Sequence, residues 1–233
     1  MSFKVLITGA GRGIGLALTK KLLSEGYVVI AGSYKTEENL LGLQKEFSKT
    51  LAVLPIDVTD EDSVSKAASF CDRKFGSIDI LVNNAAIHLD SAYKPIEEFD
   101  LQGTLKTLDV NTLGPLRVVK HFLPLVERSE KKLLVYISSE AGSITNCWRD
   151  REYDYCMSKA ALNMQARILQ NYTKPKGVKV LAIHPGWVRT DMGGQNADIS
   201  PEESAERIFN LLKKEWSLDD GIYFDNEGKQ MPW

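Results

Sequence analysis

The sequence has few of the features that mark disulfide-rich, zinc-binding, nucleic-acid-binding or membrane proteins. It holds three cysteines in 233 residues, and they show no CxxC spacing, so we expect reduced thiols. The formal net charge is −2, which provides no basic surface for nucleic acid or an anionic membrane. No apolar run has the length of a membrane span, and no basic and apolar leader precedes the first strand pattern. These absences predict a cytoplasmic protein with neither a nucleic-acid nor a membrane partner.

What the sequence does contain is a regular alternation of short apolar runs with longer amphipathic stretches. This alternation predicts an α/β, doubly wound Rossmann fold, with a seven-stranded parallel sheet and helices on both faces. No linker or repeat interrupts it, so residues 1–233 are predicted to form one domain. The predicted strands are Lys4–Thr8, Tyr27–Gly32, Leu51–Ile56, Ile78–Asn83, Leu133–Ser138, Val178–His184 and Ile222–Asp225. The predicted helices are Ile14–Ser24, Glu37–Lys49, Glu61–Phe75, Glu98–Val126, Tyr153–Asn171 and Pro201–Trp216.

The first predicted strand runs directly into a glycine-rich turn, and a helix follows. Gly9, Gly13 and Gly15 allow a tight turn and a close approach to a pyrophosphate, whose charge the N-terminus of the helix stabilises. Ile14 belongs to the same predicted cofactor site. A glycine-rich turn without any ligand remains the alternative.

The end of the second strand carries no carboxylate that could accept a hydrogen bond from a ribose 2′-hydroxyl. It offers Ser33 and Lys35 instead, and Arg12 in the glycine turn could add a bidentate phosphate contact. These residues favour NADP(H), with NAD(H) still open. Arg12 and Lys35 could equally be ordinary surface charges.

Two further strand ends offer candidate contacts to the cofactor. Asp57, followed by Val58, could accept a hydrogen bond from an adenine amino group or could cap the following turn. Asn83 and Ala85 lie in the segment Asn83–Ala86, whose small residues would let a ribose lie against the backbone. A structural turn explains the paired asparagines almost as well.

Tyr155 and Lys159 lie four residues apart on one predicted helix, so their side chains share a face. A lysine ammonium beside a phenol should lower the tyrosine pKa, so that the phenol exchanges a proton with a substrate oxygen near neutral pH. Ser139, at the end of the fifth strand, could orient that oxygen. An ordinary solvated helix face is the alternative for such a pair taken alone.

Taken together, these motifs resemble those of the short-chain dehydrogenase/reductase family, and within it the sniffer-type carbonyl reductases and C-factor developmental signal proteins. The subgroup likeness rests on Tyr153–Asn163, His184–Gly194 and Asp225–Lys229. The resemblance implies that Asn111 holds a proton-relay water against Lys159. It also implies that Thr190 contacts the nicotinamide carboxamide beside a wall shaped by Pro185 and Gly186, and Val188 belongs to the same predicted cofactor site. The spacing from Ser139 to Tyr155 is longer than usual for the family, so Ser138 and Ser143 stay open as alternatives to Ser139.

These features predict an NADP(H)-preferring oxidoreductase that reduces an aldehyde, ketone or quinone, with Tyr155 as proton donor. No metal is expected, because the three histidines lack ligand spacing. Candidate substrate residues on the strand-end loops are His88, Glu140, Trp148 and Trp187, and the tryptophans favour an apolar or aromatic substrate unless they only pack. Arg149–Glu152 is expected to form a solvated rim.

Two other classes of protein compete with this prediction, and the assembly state is open. The first is a cofactor-binding regulatory or signalling protein of C-factor type with little turnover. The second, a serine hydrolase, is disfavoured because no Gly-x-Ser-x-Gly turn is present. The two longest predicted helices could also pair across a two-fold axis and form a homodimer.

Overall fold

Seven parallel strands form one sheet in the computed structural model, which describes residues 2–35 and 38–233. Their spatial order is β3-β2-β1-β4-β5-β6-β7, the arrangement of a doubly wound fold. The predicted Rossmann fold with helices on both faces is therefore confirmed. The strands are β1 (Lys4–Thr8), β2 (Val28–Ser33), β3 (Leu51–Pro55), β4 (Ile80–Asn83), β5 (Leu133–Ile137), β6 (Lys179–His184) and β7 (Tyr223–Asp225).

The strands are apolar on both faces because helices cover the sheet on both sides. In β1, Val5 and Ile7 join one core cluster, and Leu6 between them joins the other. One layer contains α1 (Gly13–Ser24), α2 (Glu38–Glu46) and α7 (Pro201–Lys213). The opposite layer contains α3 (Glu61–Phe75), α5 (Gly114–Glu127) and α6 (Tyr153–Thr173). Within the described residues, no helix has both the length and the apolar character needed to cross a membrane.

The prediction of one continuous helix from Glu98 to Val126 is wrong. A short 3-10 turn ends at Glu98, and α4 (Leu101–Leu108) is joined to α5 by a π-helical turn, Asp109–Leu113. The extra residue of the wide turn places Asn111 inside the molecule, where its amide binds the backbone of Ile87. The predicted start of α2 at Glu37 lies outside the described residues.

Because all seven strands run parallel, their carboxyl ends meet along one edge of the sheet. Several polar contacts at this edge join neighbouring strands. The Thr8 hydroxyl at the end of β1 accepts hydrogen bonds from the backbone N–H groups of Asn84 and Ala85, at 3.0 and 3.1 Å, beyond β4. The Asn84 amide donates in return to the Thr8 and Gly9 carbonyls. The glycine turn and the end of β4 are thus held as one unit.

Candidate active site

A cavity of about 700 Å³ opens at the carboxyl edge of the sheet, within the size range of small-molecule and cofactor sites. It extends from the glycine turn to the start of α6. Most of the predicted cofactor residues line it: Gly9, Arg12, Gly13, Ile14, Gly15, Ser33, Lys35, Asp57, Val58, Ala85, Tyr155, Lys159, Pro185 and Thr190. Tyr34, Lys106 and Met192 also line it but were not among the predicted site residues, and Asn84 lines it within the predicted segment Asn83–Ala86.

The glycine turn packs tightly against itself and against the end of β4, which only residues without a side chain allow. A Cβ on Gly15 would lie 2.3 Å from the Gly9 carbonyl oxygen, and one on Gly9 would lie 2.8 Å from Cα of Ala85. Gly9 also has a φ of 66°, which favours glycine. At the start of α1, Arg12 occupies the N-cap position without a capping side-chain hydrogen bond. The first N–H groups of α1 therefore suit the pyrophosphate of a dinucleotide.

At the predicted 2′-phosphate site, Ser33 is buried and Lys35 lies with its Nζ 6.0 Å from the centre of the Tyr34 ring. Arg12 forms an ion pair with Asp191, and both side chains are well exposed. An exposed ion pair of this kind contributes little to stability, so the guanidinium can exchange Asp191 for a phosphate at small cost.

Asp57 lines the cavity and also caps a turn. Its Oδ1 accepts hydrogen bonds from the N–H and the hydroxyl of Thr59, at 2.8 and 2.7 Å. Asn83, by contrast, is buried beneath the cavity and does not line it, whereas Asn84 does. Neither terminal atom of the Asn83 amide has a hydrogen-bond partner among the residues that the structure describes.

Only part of the predicted nicotinamide wall after β6 lines the cavity. Pro185 lines it, and its carbonyl accepts hydrogen bonds from Ser204 and Asn226. Gly186 has a φ of 89°, and a Cβ there would lie 2.7 Å from the Asn226 amide nitrogen. Gly186 and the buried Val188 are absent from the lining. These two residues are therefore not positioned to contact a ligand in the cavity.

Lys159 is buried, and its Nζ donates a hydrogen bond of 2.9 Å to the Ile137 carbonyl at the end of β5. The same Nζ lies 5.6 Å from the centre of the Tyr155 ring. Burial lowers the pKa of Lys159 to about 8, because the charged form is poorly solvated there. At pH 7 the ammonium form still predominates, beside the phenol.

The pKa of Tyr155 is shifted in the direction opposite to the expectation. Burial raises it to about 12, and the interaction with the Ser139 hydroxyl lowers it only in part. The phenolate would be a poorly solvated anion, so its desolvation outweighs the attraction of the nearby ammonium. Tyr155 is therefore a phenol at neutral pH, which is the form that can donate a proton.

The structure distinguishes the three candidate serines. The Ser138 hydroxyl is buried and donates a hydrogen bond of 2.6 Å to the Asn163 amide oxygen. The Ser143 hydroxyl donates to the Pro232 carbonyl, away from Tyr155. Ser138 lines the cavity and Ser139 does not, but Ser139 is the one of the three whose hydroxyl lowers the pKa of Tyr155. Its Oγ also accepts a bond of 3.2 Å from the Ala141 N–H.

Asn111 lies in the π-helical turn and is buried. Its Oδ1 accepts from the Ile87 N–H at 2.8 Å, and its Nδ2 donates to the Ile87 carbonyl and to the Ser158 hydroxyl. The side chain thus connects the segment after β4 with α6, one residue before Lys159. The hydrogen bonds described for its amide are made to Ile87 and Ser158, so its observed role is to join these segments.

None of the four candidate substrate residues is part of the cavity lining. His88 lies beside the proposed proton donor, with its ring centre 4.6 Å from that of Tyr155. Trp148 is 76% exposed and Trp187 is 51% exposed, so both lie at the surface. The Trp187 Nε1–H donates a hydrogen bond of 2.8 Å to the Gly193 carbonyl.

The prediction of a solvated rim at Arg149–Glu152 is wrong for its two end residues. The Arg149 and Glu152 side chains are only 14% and 17% exposed. Arg149 binds Glu140 through both terminal nitrogens and Glu152 through Nε, and Glu152 lies 3.2 Å from Nε2 of His88. These ion pairs lower the pKa of Glu152, the contact with His88 most strongly. These contacts link Glu140, Arg149 and Glu152 to His88, whose ring lies beside that of Tyr155.

This fold and this arrangement of tyrosine, lysine and serine beside a dinucleotide-sized cavity define a class of protein. The family model described as short chain dehydrogenase matches residues 4–201. The chain belongs to the short-chain dehydrogenase/reductase family and is an oxidoreductase, as its motifs predicted.

Three relatives show where in this family the similarity is high. C-signal of Myxococcus xanthus is 34% identical over 161 residues, which cover 68% of this chain and 94% of that protein. The carbonyl reductase Sniffer of D. melanogaster superimposes with a TM-score of 0.93 at 28% identity, and all of both chains is covered. The NADPH-bound carbonyl reductase from chicken fatty liver has a TM-score of 0.89 at 32% identity, also over both whole chains. The predicted likeness to sniffer-type and C-factor-like proteins is confirmed.

Proposed function

We propose that this oxidoreductase reduces aldehydes, ketones or quinones to alcohols with NADPH, and that Tyr155 donates the proton. One observation carries the proposal: Tyr155 and Lys159 both line the glycine-lined cavity, with the Lys159 Nζ 5.6 Å from the centre of the Tyr155 ring. A protonated phenol is the acid that carbonyl reduction requires, whereas alcohol oxidation requires the phenolate as base. The two similar carbonyl reductases support the same direction.

The cavity fits a nicotinamide dinucleotide because Gly9 and Gly15 line it beside the N-terminus of α1, where a backbone without side chains can come close to a pyrophosphate. We place the pyrophosphate at the N-terminus of α1. The 2′-phosphate would then lie near Arg12, Ser33 and Lys35, where the end of β2 has no competing carboxylate. The NADPH-bound relative supports this preference, and binding of NAD(H) would need fewer of these contacts.

When bound, the nicotinamide supplies the hydride that reaches the carbonyl carbon. Ser139 would orient the carbonyl oxygen toward Tyr155, whose Oη donates its proton as negative charge develops on that oxygen. The Lys159 ammonium, 5.6 Å from the ring centre, then stabilises the phenolate that remains. Asn111 contributes by fixing Ile87 against Ser158 and hence the floor of the site.

The entrance favours an apolar or aromatic substrate. Ile144, Trp148, Trp187 and Met192 expose apolar surface on the loops after β5 and β6. Such side chains recognise apolar or aromatic groups. The ion pairs of Arg149 with Glu140 and Glu152 would leave these apolar groups to select the substrate, because the charges of the three side chains are already paired.

The likeness to C-signal favours a second candidate, a cofactor-binding regulatory or signalling protein with little turnover. The intact set of Ser139, Tyr155 and Lys159 argues for catalysis, because a protein that only binds cofactor does not need a positioned proton donor.

The experiment that tests the proposal mixes the protein with NADPH and a panel of aromatic and aliphatic carbonyl compounds, and follows the loss of nicotinamide absorbance. We expect turnover by the unaltered protein, at least ~100-fold less by Tyr155→Phe, and unchanged NADPH affinity. Tyr153→Phe is the matched control, since the Tyr153 hydroxyl donates to the Asp150 carbonyl and Tyr153 does not line the cavity. Tight NADPH binding without turnover across the panel would favour the regulatory candidate.

Cofactor preference is tested separately with the double variant Arg12→Ala/Lys35→Ala. We expect KM for NADPH to rise at least ~10-fold, while KM for NADH changes little, because only the 2′-phosphate loses its partners. Arg73→Ala, an exposed change on α3 outside the cavity lining, is the control. Equal losses with both cofactors would contradict the assignment of the phosphate site.

A further inference from the structure

Three consecutive residues at the end of β5 are each held by a side chain from elsewhere in the fold. The Ile137 carbonyl accepts a bond from Lys159, and the Ser138 hydroxyl donates to the Asn163 amide. The Ser139 carbonyl accepts a bond of 2.6 Å from the Tyr223 hydroxyl. Lys159 is part of the proposed chemistry, whereas the proposed function has so far assigned no role to Asn163 and Tyr223.

Asn163 extends the catalytic face of α6 by one turn. Tyr155, Lys159 and Asn163 follow one another at intervals of four residues, so their side chains lie along one face of the helix. Asn163 is buried, and besides binding Ser138 it donates from Nδ2 to the Gly142 carbonyl at 3.1 Å. The helix that presents the proton donor therefore also holds the backbone on both sides of Ser139.

Tyr223 reaches the same point from β7, where its ring is buried. The ring stacks on Trp233 with a centroid distance of 5.2 Å and an interplanar angle of 19°. The Trp233 carbonyl accepts a bond from the Thr145 N–H at 2.8 Å, so the same segment also holds the loop after Ser139. With its ring clamped in this way, the Tyr223 hydroxyl is a rigid donor to the Ser139 carbonyl.

We propose that Tyr223 is a positioning residue that, together with Asn163, fixes the Ser139 hydroxyl relative to Tyr155. The hydrogen bond fixes the orientation of the Ser139 peptide group, and that orientation sets the direction of the Ser139 Oγ. Loss of the hydrogen bond from Tyr223 would let the Ser139 peptide group rotate and would move the Ser139 hydroxyl away from the substrate oxygen. Small displacements of a catalytic group have large effects on turnover. The inference rests on the proposed role of Ser139 in carbonyl reduction.

The test is a double-mutant cycle between Tyr223→Phe and Ser139→Ala, with rates per NADPH-binding site. Phenylalanine keeps the ring stacked on Trp233 and removes only the hydroxyl. We expect Tyr223→Phe to lower kcat about tenfold, with unchanged NADPH affinity. Because Tyr223 acts through Ser139, the double variant should be no slower than Ser139→Ala alone. Tyr136→Phe is the matched control, since that buried hydroxyl has no hydrogen-bond partner among the described residues.

Two results would overturn the inference alone, while leaving the proposed function intact. They are an unchanged kcat in Tyr223→Phe, and losses that multiply in the double variant, as expected for a general loss of stability. A Ser139→Ala variant with full turnover would instead overturn the proposed role of Ser139, and this inference with it. Asn163→Ala serves as the second variant if Tyr223→Phe folds poorly, and the same non-additivity with Ser139→Ala is expected.

Discussion

Replacing Lys159 with methionine should stabilise the protein at neutral pH while abolishing its activity. Burial lowers the pKa of Lys159 from 10.5 to about 8, which corresponds to about 3 kcal/mol at about 1.36 kcal/mol per pH unit. The variant also loses the hydrogen bond from Nζ to the Ile137 carbonyl, which contributes about 1 kcal/mol. The expected net gain in the free energy of unfolding is therefore about 2 kcal/mol at pH 7.

The dependence on pH has a definite sign. Below pH 8 the folded protein holds Lys159 charged in a poorly solvated place, so the full cost is present. As the pH rises from about 8 to 10.5, the unfolded chain binds more protons than the folded one, so the folded state gains stability through this group. The advantage of Lys159→Met should therefore shrink over this interval.

Urea unfolding without cofactor, at pH 7 and in steps up to pH 10, measures this difference directly. The exposed Lys20→Met on α1 is the control and should change the free energy of unfolding by less than about 0.5 kcal/mol. A Lys159→Met protein that is less stable than the unaltered one at pH 7 would refute the reasoning. So would an advantage that grows with pH.

Three further predictions follow from the same structure. Tyr136→Phe removes a buried hydroxyl without a hydrogen-bond partner in the described part of the chain. It should therefore raise the free energy of unfolding by about 1 kcal/mol. A lower Tm than that of the unaltered protein would contradict this expectation. Gly15→Ala places a Cβ 2.3 Å from the Gly9 carbonyl oxygen and so distorts the glycine turn. Calorimetric titration should therefore show at least ~10-fold weaker NADPH binding. Unchanged affinity would contradict the placement of the cofactor at the glycine turn. The kcat for carbonyl reduction should stay level up to about pH 8 and fall above it. The reason is that Lys159 loses its proton there, while Tyr155 keeps its own until about pH 12. A fall that begins well below pH 8 would contradict the roles of Lys159 and Tyr155.

The sheet could be predicted almost completely because each buried strand appears in the sequence as a short apolar run. β1 matches its predicted bounds, Lys4–Thr8, and the other strands differ by one or two residues at one or both ends. The break in the helix at Asn111 could not be predicted in this way. It depends on hydrogen bonds between Asn111 and Ile87, which are distant in sequence.

In the candidate active site, too, features set by local spacing could be predicted, whereas those that depend on contacts distant in sequence could not. The glycine turn and the pair Tyr155 and Lys159 are visible because their spacing is local. The direction of the Tyr155 pKa was predicted wrongly, because burial depends on the assembled fold and outweighs the nearby ammonium. Tyr223 was missed because its contact with Ser139 joins residues 84 positions apart. The single domain, the cytoplasmic location and the homodimer stay predictions.

The central claim is that hydride passes from NADPH to a carbonyl carbon beside Tyr155. The most direct test uses NADPH deuterated at the transferable position of its nicotinamide ring, with an aromatic aldehyde or ketone, and analyses the product by mass spectrometry. The account predicts an alcohol with deuterium on the former carbonyl carbon, formed by the unaltered protein and not by Tyr155→Phe at comparable NADPH occupancy. An unlabelled alcohol, or equal labelled product from Tyr155→Phe, would contradict it.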